Sequence, residues 1–126
     1  MITYLAAPFS HPSPAIRYAR IEAATHAATH LTKMGAFVYS PLSYVAVLGG
    51  EVTLPNEKWL NHCTIFLAAC QRLMIMCLPG FDTSFGCNLE FSLAKVLKLD
   101  IVFWKEADLK QIIPPDVWKK LYCSGV

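Results

Sequence analysis

The sequence predicts a small doubly wound α/β domain of the Rossmann or flavodoxin-like kind, with a parallel sheet of four to five strands and helices on both faces. Short apolar runs alternate with segments of helical period, which is typical of strands paired in parallel. The apolar runs, such as "RLMIMCL" at 72–78, are nearly unbroken, which indicates cover on both faces of the sheet. With 126 residues, the chain is predicted to form one domain, 1–126.

The first elements have clear boundaries. "MITYLAA" at 1–7 is a strand candidate that ends before a proline. Ser13 and Pro14 then supply an N-cap and a proline at the first helical position, and the helical period continues to Gly35. The later elements are a strand at 36–40, a loop at 42–56, a helix at about 56–70, a strand at 72–78, a loop at 79–84, a helix to about Lys98, a strand at 100–104 and a short helix after Pro114-Pro115.

Composition narrows the class of protein. Hydrophobic residues make up 55% of the chain, yet no apolar run approaches the ~20 residues that span a bilayer, so we expect no membrane partner. We instead expect the excess apolar surface to form the interface of a homodimer or higher homo-oligomer. The net charge of +2 is small and the basic residues are dispersed, which argues against a nucleic acid polymer as partner.

The cysteines predict the compartment. There are five, an odd number, and none forms a C-x-x-C pair. Several lie in apolar contexts, which is typical of buried thiols in a reducing cytosol rather than of a disulfide framework. No signal peptide pattern is evident at the N-terminus. We therefore expect a cytoplasmic protein.

The segment "LPGFDTSFGCNLE" at 78–90 contains a turn, the start of a helix and a glutamate, Glu90, at a position where an apolar residue is expected. Ser84 is a natural N-cap, and Gly86 lacks a side chain where a ligand could approach the first amides of the helix. Glu90 precedes Leu93, Ala94 and Leu97 by three, four and seven residues, the spacing of one helical face. A carboxylate on that apolar face costs several kcal/mol if it is unpaired, which favours a functional use. A glutamate that merely complements the helix dipole is the alternative.

This segment, together with "TYLAAPFS" and "FVYSPLSY", resembles the nucleoside 2-deoxyribosyltransferase-like superfamily. The S-x-G-x-x-x-E pattern of Ser84, Gly86 and Glu90 is most similar to that of the 2′-deoxynucleoside 5′-phosphate N-hydrolases and cytidine monophosphate hydrolases. The resemblance extends over residues 2–104 in the order of elements. It implies a small-molecule nucleoside or nucleotide as substrate and no metal or other cofactor.

The resemblance also implies roles for single residues. Glu90 matches the family nucleophile, which attacks the sugar C1′ and forms a glycosyl–enzyme intermediate. Tyr4 matches a tyrosine that orients this nucleophile, and Phe9 matches a wall of the base pocket. Ser84 and the amides near Gly86 match the site of the 5′-phosphate.

One family feature is missing. An aspartate that helps to protonate the leaving base is expected in the helix before the third strand, where this chain has Cys63. Gln71 stands where a second aspartate is common. Asp82, in the loop before Ser84, is the carboxylate nearest in sequence that could substitute, and a solvated turn residue is the alternative. The acid could also be absent or come from a neighbouring subunit.

Other polar residues near the predicted strand ends are weaker candidates. Ser10 and His11 lie in the first loop, and Ser40 closes the second strand, so each is a candidate to contact a ligand or to shape a turn. Arg17 and Arg20 follow the first loop and could reach a phosphate, although ordinary surface charge explains them nearly as well.

Three histidines are better explained by structure than by catalysis. His26 and His30 have a metal-ligand spacing, but no third ligand is evident, so a polar helix face is favoured. His62 precedes Cys63 directly, and neighbouring side chains on a helix point about 100° apart, which argues against a catalytic pair.

The sequence therefore predicts an N-glycosidase that hydrolyses a nucleoside 5′-monophosphate through Glu90. Two alternatives stay open. One is a deoxyribosyltransferase that exchanges bases on unphosphorylated nucleosides. The other is a nucleotide-binding module without turnover, which Cys63 in place of the acid would explain.

Overall fold

Four short strands pair in parallel in the order β2-β1-β3-β4, and helices cover both faces of the sheet, which confirms the predicted α/β class. The computed structural model describes residues 1–48 and 56–122. The strands are β1 (Ile2–Ala6), β2 (Phe37–Tyr39), β3 (Arg72–Met76) and β4 (Asp100–Trp104). The helices are α1 (Pro14–Lys33), α2 (Pro41–Val47), α3 (Asn56–Ala68), α4 (Phe85–Val96), α5 (Glu106–Leu109) and α6 (Pro115–Tyr122), with a 3₁₀ turn at Phe81–Thr83.

The two central strands divide the core into two apolar clusters. Successive side chains of a strand point to opposite faces, and in β1 Leu5 belongs to one cluster while Tyr4 and Ala6 belong to the other. Helices α1 and α6 cover the Leu5 cluster. The buried alanines of α1 pack there with Trp118 of α6. The Tyr4 cluster is closed by α3 and α4. Both faces of β1 and β3 are therefore covered.

The edge strands are less covered than the sequence predicts. β4 is only half-buried, and its Val102 and Phe103 remain exposed. Phe37 on β2, the opposite edge, is also exposed. The prediction that the apolar runs are buried on both faces thus holds for the central strands and is wrong for the edges, because helices cover only the middle of so small a sheet.

Residues 42–47, predicted as part of a loop, are helical. Ser40 caps α2 by accepting a hydrogen bond from the Ser43 amide at 3.3 Å, and Pro41 occupies the first helical position. Residues 49–55 of the predicted loop lie outside the described residues. Among the described helices, none has both the length and the apolar character needed to cross a bilayer.

The strand order creates a switch point between β1 and β3. From β1 the chain moves to β2 on one side, and then crosses to β3 and β4 on the other. Loops that leave the carboxyl ends of two such strands diverge and open a crevice, where ligands bind in sheets of this kind. Here the crevice lies between the residues after Ala6 and those after Met76.

Candidate active site

A cavity of about 510 Å³ opens at this switch point. Its size is within the range of small-molecule sites in proteins. Its apolar wall comes from both diverging loops and from α2 and α3: Ala7, Phe9, Pro41, Leu42, Val45, Trp59, Leu60 and Phe85. Its polar groups are Tyr4, Ser10, Cys63, Thr83, Ser84 and Glu90. A largely apolar, aromatic wall with a few convergent polar groups suits a flat heterocycle attached to a polar group.

Glu90 supplies the carboxylate of the cavity. It lies on the inner face of α4, one turn before Ala94, and only 7% of its surface is exposed. Burial raises the pKa of Glu90 to about 7, although the nearby Tyr4 hydroxyl acts in the opposite direction. The carboxyl group therefore exchanges its proton near neutral pH, which is the range expected of a group that works in catalysis.

Tyr4 and Cys63 stand beside this carboxylate. The Tyr4 ring is fully buried, and burial together with the charge of Glu90 raises its pKa far above the usual value, so the phenol stays protonated. Burial also raises the pKa of Cys63 to about 11. The Tyr4 hydroxyl is close enough to influence both groups, but no described residue accepts its hydrogen bond with standard length and angle. A buried donor is thus available beside Glu90.

The N-terminus of α4 also lines the cavity, through Ser84, Phe85 and Gly86. The Ser84 hydroxyl caps this helix by accepting from the Cys87 amide at 3.2 Å. The amides of Phe85 and Gly86 lie in the first turn, where the helix offers no acceptor for them. A Cβ placed on Gly86 would meet nothing closer than the Ser84 hydroxyl at 4.0 Å. Packing within the protein therefore does not require a glycine at this position.

Most of the predicted site residues meet in the cavity, and three do not. The cavity is lined by Tyr4, Phe9, Ser10, Ser84, Gly86 and Glu90. Asp82 is exposed on the 3₁₀ turn outside it. Arg17 donates to the carbonyls of His11 and Pro12 and so stabilises the first loop. Ser40 caps α2 behind the wall.

Cys63, which stands where the resemblance implies an acid, lines the cavity. Cys63 lies one turn after Trp59 on α3, and both side chains line the cavity. The His62 ring does not line the cavity. It stacks on the rings of Trp59 and Tyr44, with centroid-to-centroid distances of 5.2 and 5.6 Å. The expectation that His62 and Cys63 do not form a pair is confirmed. Gln71 accepts a hydrogen bond from the Ile2 amide at the far end of the sheet.

Sequence reasoning missed the wall that α2 and α3 provide. Trp59 and Leu60 of α3 line the cavity, although neither was a candidate site residue. Leu42 and Val45 of α2 line it as well. The signal for α2 was present in the serine–proline pair at 40–41, which is the same start signal that predicts α1. The prediction of a loop at 42–56 hid Leu42 and Val45.

Comparison with known proteins identifies a family but no activity. A family model described as a domain of unknown function, DUF1937, matches residues 1–106. The match includes both loops of the cavity and all four strands, and it ends before α6. No curated protein matches the chain.

Proposed function

The chain belongs to the DUF1937 family, and we propose that it is an N-glycosidase that hydrolyses the base–sugar bond of a nucleoside 5′-monophosphate. The observation that carries this proposal is the buried Glu90 carboxyl group, with a pKa of about 7, facing an aromatic cavity next to a helix N-terminus. A carboxylate in this environment suits attack on an anomeric carbon.

The dimensions of α4 support a nucleotide as substrate. Glu90 follows Ser84 by six residues, which is at most ~9 Å along the helix axis. This length is on the scale that separates the 5′-phosphate of a nucleotide from its C1′ atom. A phosphate bound at the free amides of Phe85 and Gly86 would therefore place the sugar before Glu90, and the base against Trp59 and Phe9.

The reaction would proceed in two displacements. A Glu90 carboxylate oxygen forms a bond to C1′ while the C1′–N bond breaks and its electron pair leaves with the base. Water then attacks C1′, and the bond between C1′ and the Glu90 oxygen breaks, which restores the carboxylate. The proton that the water loses is taken up by the departed base, so the products are the free base and the sugar phosphate. The Tyr4 hydroxyl, which stays protonated, would hold Glu90 in position by donating a hydrogen bond to it.

The second candidate function is nucleotide binding without turnover, and Cys63 is the observation that favours it. A thiol with a pKa of about 11 is a poor acid for the departing base. Among the described lining residues, Glu90 is the only carboxylate. The proposed hydrolysis therefore favours bases that leave without strong acid assistance, or an acid supplied from outside the described residues.

Release of free base tests the proposal directly. The purified chain would be incubated with a panel of ribo- and deoxynucleoside 5′-monophosphates, and base would be quantified by chromatography. We expect release by the wild type and at least a 10³-fold decrease in Glu90→Gln. The matched control is Glu22→Gln, because Glu22 is exposed on α1 and pairs with Lys120. Tight binding without base release would favour the second candidate.

Addition of a second free base separates hydrolysis from transfer. A hydrolase passes the sugar to water and leaves the second base unchanged. Formation of a swapped nucleoside from an unphosphorylated donor would instead identify a deoxyribosyltransferase.

Two further expectations belong to this proposal. Cys63, Cys70, Cys77 and Cys87 are free thiols, which supports a reducing compartment such as the cytoplasm.

Exposed apolar residues on α3 and α4, including Ile65, Phe66 and Val96, support a homodimer or higher homo-oligomer. Light scattering on the purified chain tests the assembly.

A further inference from the structure

A groove of about 430 Å³ adjoins the cavity and lies on the side of α1. Ser10, Thr83 and Ser84 line both spaces, so the groove continues from the N-terminus of α4, where the proposal above places the 5′-phosphate. Arg20 and His11 line the groove but not the cavity. A ligand held at the helix terminus could therefore extend toward these two side chains.

Arg20 places a buried positive charge in this groove. Only 6% of its surface is exposed, and its guanidinium donates to the carbonyls of Ser10 and Pro79 at 2.9 and 3.0 Å. Its Nε atom has no hydrogen-bond partner among the described residues, and no described carboxylate pairs with it. Burial lowers the pKa of Arg20, which reflects the cost of this charge. An anion in the groove would offset that cost.

The backbone around Arg20 is shaped to hold the guanidinium. Gly80 has φ +90°, a conformation that side chains rarely adopt, and a Cβ there would lie 2.8 Å from Nη2 of Arg20. Glycine is therefore required at this point both for its conformation and for the space that Arg20 occupies. The loops after β1 and β3 both hold the Arg20 guanidinium in place, through the carbonyls of Ser10 and Pro79.

The other groups of the groove are also suited to an anion. His11 accepts a hydrogen bond from the Ser13 amide at its Nδ1 atom, so the neutral ring carries its proton on Nε2 and can donate. Thr83 and Ser84 add hydroxyl groups. No acidic side chain lines the groove in the described part of the chain.

We infer that this groove binds a second phosphoryl group, so that a nucleoside 5′-diphosphate, or an ester of one, binds before Glu90 more tightly than the monophosphate does. The inference rests on the proposed function and extends it: the first phosphate lies at the free amides of α4, and the second lies against Arg20. The resulting product would be a sugar 5-diphosphate and a free base.

Calorimetric titration of the full chain with matched nucleotides tests this inference. The probes are the four common 2′-deoxynucleoside 5′-monophosphates, their 5′-diphosphates, and inorganic pyrophosphate. We expect each diphosphate to bind about tenfold or more tightly than its monophosphate, since a hydrogen bond to a charged group contributes on that scale. Arg20→Met should remove this ratio, and Arg20→Lys should restore part of it.

The matched control is Lys33→Gln, which removes one positive charge from the same helix ~20 Å away. It should keep the diphosphate preference. Because Arg20→Met removes two loop hydrogen bonds and could unfold the loops, His11→Ala, which leaves Arg20 in place, serves as a second variant and should reduce the preference by a smaller factor.

Equal binding of mono- and diphosphates by the wild type would overturn the inference. So would Arg20→Met weakening both by the same factor, because Arg20 would then serve the first phosphate or only the loops. If monophosphates are hydrolysed but no diphosphate preference exists, the groove fails and the proposed function stands. If the preference exists without any base release, the groove stands and the proposed hydrolysis fails.

Discussion

The most informative residue is Glu90, because burial of its charged carboxylate lowers the free energy of unfolding of the protein. An isolated carboxylate inside an apolar helix face loses its hydration, and burial accordingly raises its pKa from 4.5 to about 7. The folded protein thus binds a proton at Glu90 that the unfolded chain releases between these two pH values. Stability must fall as pH rises through this window.

Glu90→Gln should therefore stabilise the protein in a pH-dependent way. Above pH 7 the wild type bears the full cost of the buried charge, about 3 kcal/mol, while near pH 4.5 it bears almost none. We expect the difference in free energy of unfolding between variant and wild type to increase from pH 5 to pH 8. Denaturant unfolding at both pH values measures it. A constant difference, or one that decreases, would show that the carboxyl group titrates normally.

Tyr4 is the second residue whose role has a sharp test. The nearby Tyr4 hydroxyl lowers the pKa of Glu90, so Tyr4→Phe should raise that pKa further. If the Glu90 carboxylate is the nucleophile, the rising limb of kcat against pH will move to higher pH in the variant. Tyr18→Phe, at an exposed position on α1, is the control and should leave the limb in place. A limb that stays fixed in Tyr4→Phe would refute the orienting role.

At the scale of elements, α4 joins structure and chemistry. Its capped N-terminus and its buried Glu90 belong to one rigid helix, which sets the distance between the proposed phosphate site and the carboxylate. Ser84 contributes to both, since it caps the helix and lines the cavity. Variants at this terminus can separate the two contributions.

Ser84→Asp should leave the fold intact and weaken binding of the 5′-phosphate. Aspartate is as good an N-cap as serine, so we expect stability close to that of the wild type. Its charge would repel a 5′-phosphate, and we expect monophosphate binding at least tenfold weaker, with binding of the unphosphorylated nucleoside unchanged. Calorimetry on both ligands measures this. Equal weakening of the two ligands would argue against a phosphate at α4.

Gly86→Ala should raise the stability of the protein and weaken substrate binding. The structure has room for the added methyl group, and alanine is favoured over glycine in a helix by up to about 1 kcal/mol. We therefore expect a higher melting temperature together with a higher KM, because the methyl group occupies space that the ligand needs. A variant with unchanged KM would show that no ligand approaches this part of α4.

Some helices and strands could be predicted from the sequence and others could not. α1, β3 and α4 were predictable because caps, apolar period and length agreed locally. α2 was missed although Ser40 and Pro41 repeat the start signal of α1, since its short segment "LSYVAV" is rich in residues with modest helix propensity. The part of the cavity wall that α2 supplies was missed with it, whereas Glu90 was found because an acid at the spacing of an apolar helix face can be recognised from the sequence.

For the whole molecule, the strand order β2-β1-β3-β4 determines where chemistry can occur. It brings the loop after β1 and the loop after β3 to one crevice, with Glu90, Tyr4 and Ser84 around it. The parallel class and the candidate loops could be predicted from the alternation of elements. The groove at Arg20 could not, because the contacts of Arg20 with Ser10 and Pro79 depend on tertiary structure.

The central claim is that the Glu90 carboxylate forms a bond to the sugar. Mass spectrometry of the intact protein, quenched within milliseconds of mixing with a nucleotide that is hydrolysed, tests it most directly. We expect an added mass equal to the sugar phosphate, located to the peptide that contains Glu90 and absent in Glu90→Gln. Continued base release by Glu90→Gln at the wild-type rate, with no adduct on either protein, would contradict the account.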